Sequence, residues 1–405
     1  MEHMRPKRSW VSAPRWVTRV LADLDGLLWA LSVYVVPLVI GVVTVLALLF
    51  WHSDYQAKAA TPLKLQVLAD TEGQLAPQAA QAALAGRPWV AHHDTDLSEA
   101  PVWFRFEVPA QGPDPEAIEF PSRHALEVAC WNEPQLLSLG RASRVEGASP
   151  GGDITPIKAG FALRSVAPGE QVLCNGRFVG PARLSVVLWS ASDLAANVLE
   201  FHRNMGLLEG GLVVLAIFVL MTALINRQAI YVLFAAWLVV TLRVGAISAG
   251  WDVQWLGRAV PAEWLTLSRA ITVSAYGFVT LTLYNNLFRD DLLHSRFYPW
   301  LRLAQWLTVP LMVASVTLPY RIFLPITWVF TGVGLVLMCA SLVHIVLRTR
   351  SRVAMWYGAS LGATFLSSLS EIVAAAYGAK ALIGTVYHVK AAVTWLTVPI
   401  RALAP

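Results

Sequence analysis

In the segment FHRNMGLLEGGLVVLAIFVLMTALINRQAIYVLFAAWLVV, residues 201–240, an apolar run from about 207 to 225 meets the short basic turn Asn226–Gln228. A second run then continues to about 249. Each run is long enough to cross a hydrocarbon core of about 30 Å as a helix rising 1.5 Å per residue. Similar segments recur at about 263–286, 301–318, 322–347, 353–377 and 382–400, so seven spans are expected within residues 201–401.

The composition agrees with this reading. Of 405 residues 56% are hydrophobic and 14% charged, outside the range of water-soluble globular chains. The net charge of +5 does not mark a nucleic-acid binder, because Lys and Arg cluster beside the apolar runs. The expected partner is the lipid bilayer.

Residues 1–30 carry Arg5, Lys7, Arg8, Arg15 and Arg19 and are expected to be a cytoplasmic basic segment. The run at 31–52 is too long for a signal-peptide core and lacks a small-residue cleavage site after it, so it reads as an uncleaved anchor. With the anchor crossing outward, one set of loops holds Arg227, Arg289 with Arg296, and the three arginines of Arg348–Arg352; the opposite set holds Arg258, Arg321 and Lys380. The excess lies on the cytoplasmic side throughout, which leaves residues 402–405 cytoplasmic as well. Aromatic residues at span edges, among them Trp251, Trp264, Tyr284, Phe288 and Tyr320, fit an interfacial belt. Pro310 and Pro325 lie within spans and are expected to kink them.

Residues 53–200 differ in kind. Period-two segments LKLQVLAD (63–70), VWFRFEVP (102–109), HALEVACW (124–131), GFALRSV (160–166), EQVLCNGRFV (170–179) and ARLSVVLWS (182–190) alternate with Pro and Gly turns. An antiparallel β-sandwich or jelly roll is expected, with a short helix in QLAPQAAQAALAG (74–86). The fold class is therefore a multi-pass α-helical membrane protein with an inserted all-β extracytoplasmic domain. Cys130 and Cys174 fall in that domain, where a disulfide is redox-permitted, though spacing does not show whether the two meet. Cys339 lies in an apolar run and reads as a packing residue.

Charges inside spans carry the strongest functional signal, since an unpaired ion in hydrocarbon costs several kcal/mol. Arg243, Arg269 and Glu371 fall in the outward half of their spans, and Lys390 sits near the middle of the last. An intramembrane network facing the bundle interior is expected, either as a ligand or coupling site or as packing ion pairs. In the β domain Trp103, Arg105, Trp131 and Trp189 are candidates for ligand binding, with core packing as the competing role of the tryptophans. The HHDTD cluster (92–96) lacks convincing ligand spacing, so no metal is expected. Gly151–Asp153 reads GGD without the residues that would make it a cyclase motif, and no other catalytic signature occurs. No catalytic residue and no cofactor are expected.

An N-terminal anchor, a β domain containing Trp103-Phe104-Arg105, and seven spans resemble bacterial seven-transmembrane receptors with diverse intracellular signalling modules. The late strand LSVVLWS (184–190), the re-entry segment 201–240 and NNLF (285–288) carry the resemblance. It implies an exported β domain akin to carbohydrate-binding jelly rolls and a cytoplasmic output, commonly a diguanylate cyclase or histidine kinase. No such output precedes Pro405, so the resemblance implies one on a longer chain or on a separate cytoplasmic partner. The expected function is a signal-transducing receptor of the bacterial inner membrane that senses a periplasmic small molecule, carbohydrate or partner, with homodimerisation left open. A transporter and an envelope-polysaccharide-binding or assembly protein are the alternatives.

Overall fold

The computed structural model describes residues 60–110, 116–164, 166–251 and 261–349, with Ala354, Tyr357 and Gly358. The anchor at 31–52, the span at 382–400, nearly all of that at 353–377, and the residues Glu371 and Lys390 lie outside the described residues.

The alternating segments form strands. They are β1 (Thr61–Leu63), β2 (Leu65–Ala69), β3 (His93–Asp94), β4 (Val102–Glu107), β5 (Glu116–Phe120), β6 (Ala125–Glu133) and β7 (Ser138–Ser143), followed by β8 (Gly147–Ala148), β9 (Ile154–Ile157), β10 (Gly160–Arg164), β11 (Gln171–Phe178), β12 (Arg183–Leu184) and β13 (Val186–Ser190). One antiparallel sheet runs β1-β13-β5-β10-β9, a second β2-β4-β11-β6-β7-β8, and β12 pairs with β3 in a small ribbon. Two expected strands are each divided: LKLQVLAD passes from one sheet to the other at Lys64, and ARLSVVLWS leaves the ribbon for the five-stranded sheet at Ser185.

Both sheets feed one buried cluster. Ile118, Phe120, Phe161 and Val186 enter it from one sheet, and Phe104, Phe106, Val128 and Val172 from the other. Burial of such side chains contributes roughly 1.5–3 kcal/mol each, which is what the period-two pattern encodes. Cys130 and Cys174 are register partners on β6 and β11 inside this cluster and are joined as a disulfide, with their Cα atoms 4.1 Å apart. Helix α1 (Pro77–Leu84), opened by its proline, lies against the outer face of the second sheet through Ala80 and Leu84.

After β13 the chain becomes helical without a linker. Ser190 ends the strand and also caps α2 (Ala191–Asn226), its Oγ accepting the amide of Asp193 at 3.1 Å. At about 1.5 Å per residue α2 is roughly 54 Å long, well beyond a hydrocarbon core of about 30 Å. Its first turns therefore cover the β domain, Leu194 packing with Trp189, Ala117 and Ala162. Arg227, in the left-handed conformation at φ 52°, turns the chain into α3 (Ala229–Ser248). Next come α4 (Ala262–Leu287), the short α5 (Arg289–Leu293), α6 (Tyr298–Thr317) and α7 (Tyr320–Thr349). Pro310 and Pro325 lie inside α6 and α7, each of which runs unbroken past its proline.

Among the described residues three helices, Ala191–Asn226, Ala229–Ser248 and Tyr320–Arg348, are long and apolar enough to cross a membrane. Apolar side chains such as Val214, Ile225, Val329 and Leu347 stand exposed on them, as lipid contact requires. Helices α4 and α6 are 26 and 20 residues long and carry polar groups that pair between helices. Asn285 Nδ2 donates to Gln305 Oε1 at 2.9 Å, and Gln305 Nε2 donates to Thr282 Oγ1 at 3.1 Å. Tyr284 and Phe288, expected in an aromatic belt, are instead buried between α4, α6 and α7, where the Tyr284 hydroxyl meets Ser341 Oγ at 2.7 Å. A tyrosine so placed satisfies its polar end inside the bundle and has no need of the interface.

Candidate functional site

The β domain meets the helices through its turns, and the side chains in those turns are charged. Between β9 and β10 the chain reverses through Lys158, at φ 44°, and Gly160. A Cβ at 160 would fall 2.1 Å from the Phe120 carbonyl oxygen, so only glycine lets the turn lie this close to β5. That approach brings Lys158 Nζ to 2.7 Å from Glu119 Oε1, with the two side chains 1% and 3% exposed. The same ammonium donates to Asn197 Oδ1 of α2 at 2.6 Å and lies 5.1 Å from the centre of the Trp189 ring. A buried ion pair is tolerated only when its remaining donors are satisfied, and here the covering helix supplies one of the acceptors.

Arg144, between β7 and β8, forms a second attachment. Its guanidinium donates to the carbonyls of Ala125, Ser122 and Ala159 within the β domain and, from Nη1, to Gly250 beyond α3 at 3.0 Å. Gly250 has φ +75°, and a Cβ there would approach Arg144 Nη1 to 2.6 Å. The absent side chain is what leaves room for the guanidinium. Beside it Trp251 stacks on His202 of α2, ring centres 5.8 Å apart.

Two arginines, on α3 and α4, belong to the same region. Arg269 of α4 is 3% exposed and donates from Nη2 to the Arg123 carbonyl in the β5–β6 loop at 3.3 Å. Arg243 of α3 donates to Ser268 Oγ at 3.2 Å, one residue from Arg269. His124, next in the loop, has its Nδ1 2.9 Å from the Val179 carbonyl oxygen. Burial, reinforced by the guanidiniums of Arg123, Arg269 and Arg144, holds its imidazole well below the usual histidine range. It is neutral at physiological pH.

The four candidate ligand residues of the β domain do not form one site. Trp103 and Trp131 stack with centroids 5.4 Å apart on the outer face of the six-stranded sheet, packed with Leu173 and with Leu84 of α1. Arg105 lies beside them, donating to Gln66 Oε1 at 2.9 Å and to Glu133 Oε2 at 3.3 Å. Among the described residues Glu133 Oε1 is buried without a hydrogen-bond partner. Burial raises the Asp70 carboxyl, but the amides of Leu75 and Gly73 outweigh it and the net shift is downward. Trp189 is elsewhere, buried beneath α2 on the five-stranded sheet. In the histidine-aspartate loop Asp94 pairs with Arg183 at 2.8 Å.

The sequence reading passed over Lys158, Glu119, Asn197 and Arg144, because nothing local distinguishes them from solvated charges. It also passed over Glu209 of α2, whose Oε1 is buried with no partner among the described residues. An acid inside an apolar run was the signal available for that residue. Compared with family models, curated proteins and solved structures, the chain matches none.

Proposed function

We propose that this chain is a transmembrane signal transducer whose β domain faces the periplasm of a bacterial inner membrane, with both chain termini in the cytoplasm. In this reading the β domain is a jelly-roll-like sandwich, and residues 201–401 are a seven-helix module that relays its state to a cytoplasmic output. The observation that carries the proposal is the attachment of three β-domain turns to α2, to the turn that ends α3 and to α4, by Lys158 to Asn197, Arg144 to Gly250 and Arg269 to Arg123. A tether needs one connection. Three polar contacts to separate helices make any displacement of the turns a displacement of the helix ends, which is the differential contact a two-state relay requires.

The ligand surface best supported is the outer face of the six-stranded sheet. The half-buried Trp131 ring, backed by the buried Trp103 and lying beside Arg105, suits the face of a polyhydroxylated small molecule or sugar. Proton-coupled transport is a second reading, favoured by a carboxylate oxygen of Glu209 that is buried in an apolar helix with no partner among the described residues.

Hydrogen exchange on the full chain in nanodiscs, with and without a panel of soluble mono- and oligosaccharides, tests the relay. A binding sugar should slow exchange around β4, β6 and β11 and alter it at the ends of α2 and α3. In Arg144→Gln, which removes the contact with Gly250, the first change should persist and the change at α3 should weaken. A response at α3 of wild-type size in Arg144→Gln, or sugar binding that never reaches the helices, sinks the relay.

A further inference from the structure

Helix α7 starts against the β domain, where Gly180 approaches the Tyr320 ring. From Tyr320 to His344 the helix climbs about 36 Å at 1.5 Å per residue, and a bilayer's hydrocarbon core is about 30 Å thick. His344 therefore stands at the far headgroup level when Tyr320 stands at the near one. At that far level a shallow, open groove of about 620 Å³ runs along α7. Its wall is the stripe Val336, Ala340 and Val343, spaced four and three residues apart on one helix face and reaching back into hydrocarbon depth. Arg296, Phe297 and His344 form its mouth.

The mouth is built from side chains that support one another. The Phe297 ring meets the His344 ring edge-on at 5.9 Å, and the Arg296 guanidinium lies 5.2 Å from the Phe297 ring centre. Among the described residues no carboxylate forms an ion pair with Arg296, although Asp290 and Asp291 lie on the neighbouring α5. A cation held at headgroup level over an apolar groove matches the amphipathic shape of a phospholipid of negative charge.

We propose that this groove seats an anionic phospholipid, its phosphate on Arg296 and His344 and one acyl chain along Val336, Ala340 and Val343. Native mass spectrometry of the full chain released from nanodiscs of equal phosphatidylglycerol and phosphatidylcholine reads the occupancy. The wild type should retain phosphatidylglycerol preferentially. Arg296→Gln should lower its retention at least about tenfold, the weight of a lost hydrogen bond to a charged group. Ala340→Phe, which fills the groove without changing charge, should lower it as well. Arg302→Gln removes the same charge outside the lining and should leave retention unchanged.

Equal losses in Arg296→Gln and Arg302→Gln, or phosphatidylcholine held as firmly as phosphatidylglycerol, would mean diffuse attraction and overturn the site. Where Ala340→Phe fails to fold, melting of the wild type in detergent decides. Added phosphatidylglycerol should raise the melting temperature, while glycerol phosphate and inorganic phosphate should not. A rise with phosphate alone overturns the lipid site.

Discussion

The Lys158 ammonium sits 2.7 Å from the Glu119 carboxylate in a space that the first turns of the following helix close over. Two opposite charges this deeply buried offset one another's desolvation, and the loss of either leaves an uncompensated ion. Lys158→Met or Glu119→Gln alone should therefore lower stability by about 3–5 kcal/mol. The paired replacement Lys158→Met with Glu119→Leu should recover most of that. Chemical unfolding of the purified chain checks this, and single variants that unfold like wild type would show the pair to be energetically idle.

Gly250 is held to its identity by the guanidinium beside it. Gly250→Ala places a Cβ against Arg144 Nη1 and requires a positive φ of an L side chain. Together these should cost about 1–3 kcal/mol. Gly206, inside α2 with open space where its Cβ would go, is the control, and Gly206→Ala should hold or slightly raise the melting temperature.

His124 gives the chain a pH dependence of known sign. Its folded-state pKa lies well below the ordinary value of 6.5, so under pH 6.5 the unfolded chain takes up a proton that the folded one refuses. Stability from this group is fully present above pH 6.5 and falls as the pH drops toward the folded pKa, with a slope of at most about 1.4 kcal/mol per pH unit. Melting measured from pH 7.5 to 5.5 should decline in wild type and decline less in His124→Gln. Parallel curves for the two proteins would remove the histidine from the account.

The disulfide joins cysteines 44 residues apart in the middle of the buried cluster. Replacing both by alanine, in Cys130→Ala with Cys174→Ala, should cost roughly 2–4 kcal/mol through the wider unfolded ensemble and the lost packing. A double variant melting within a degree of wild type would contradict this.

Much of the architecture was legible because periodicity records burial. Val102, Phe104 and Phe106 alternate with Trp103 and Arg105 on one strand, and the structure sends the two sets to opposite faces of its sheet. The break at Lys64 was not legible, since Leu63 and Leu65 both point into the core and the chain changes sheets between them. Lys158 and Glu119 looked like surface charges because their cover is α2, which follows much later in the chain. The four aromatic and basic candidates shared a type but not a place. Trp189 went to the sheet that α2 covers and the other three to the opposite one, a division that only strand order determines.

Ser190 closes the last strand and opens the first long helix with the same residue, leaving no slack between sheet and bilayer. Helix α2 then works as a driveshaft. A rotation of the β-domain about the membrane normal has no swivel in which to dissipate, so it must appear as an equal twist at Arg227, roughly 50 Å away. Inserting a few glycines after Ser190 would fit the swivel that this chain lacks.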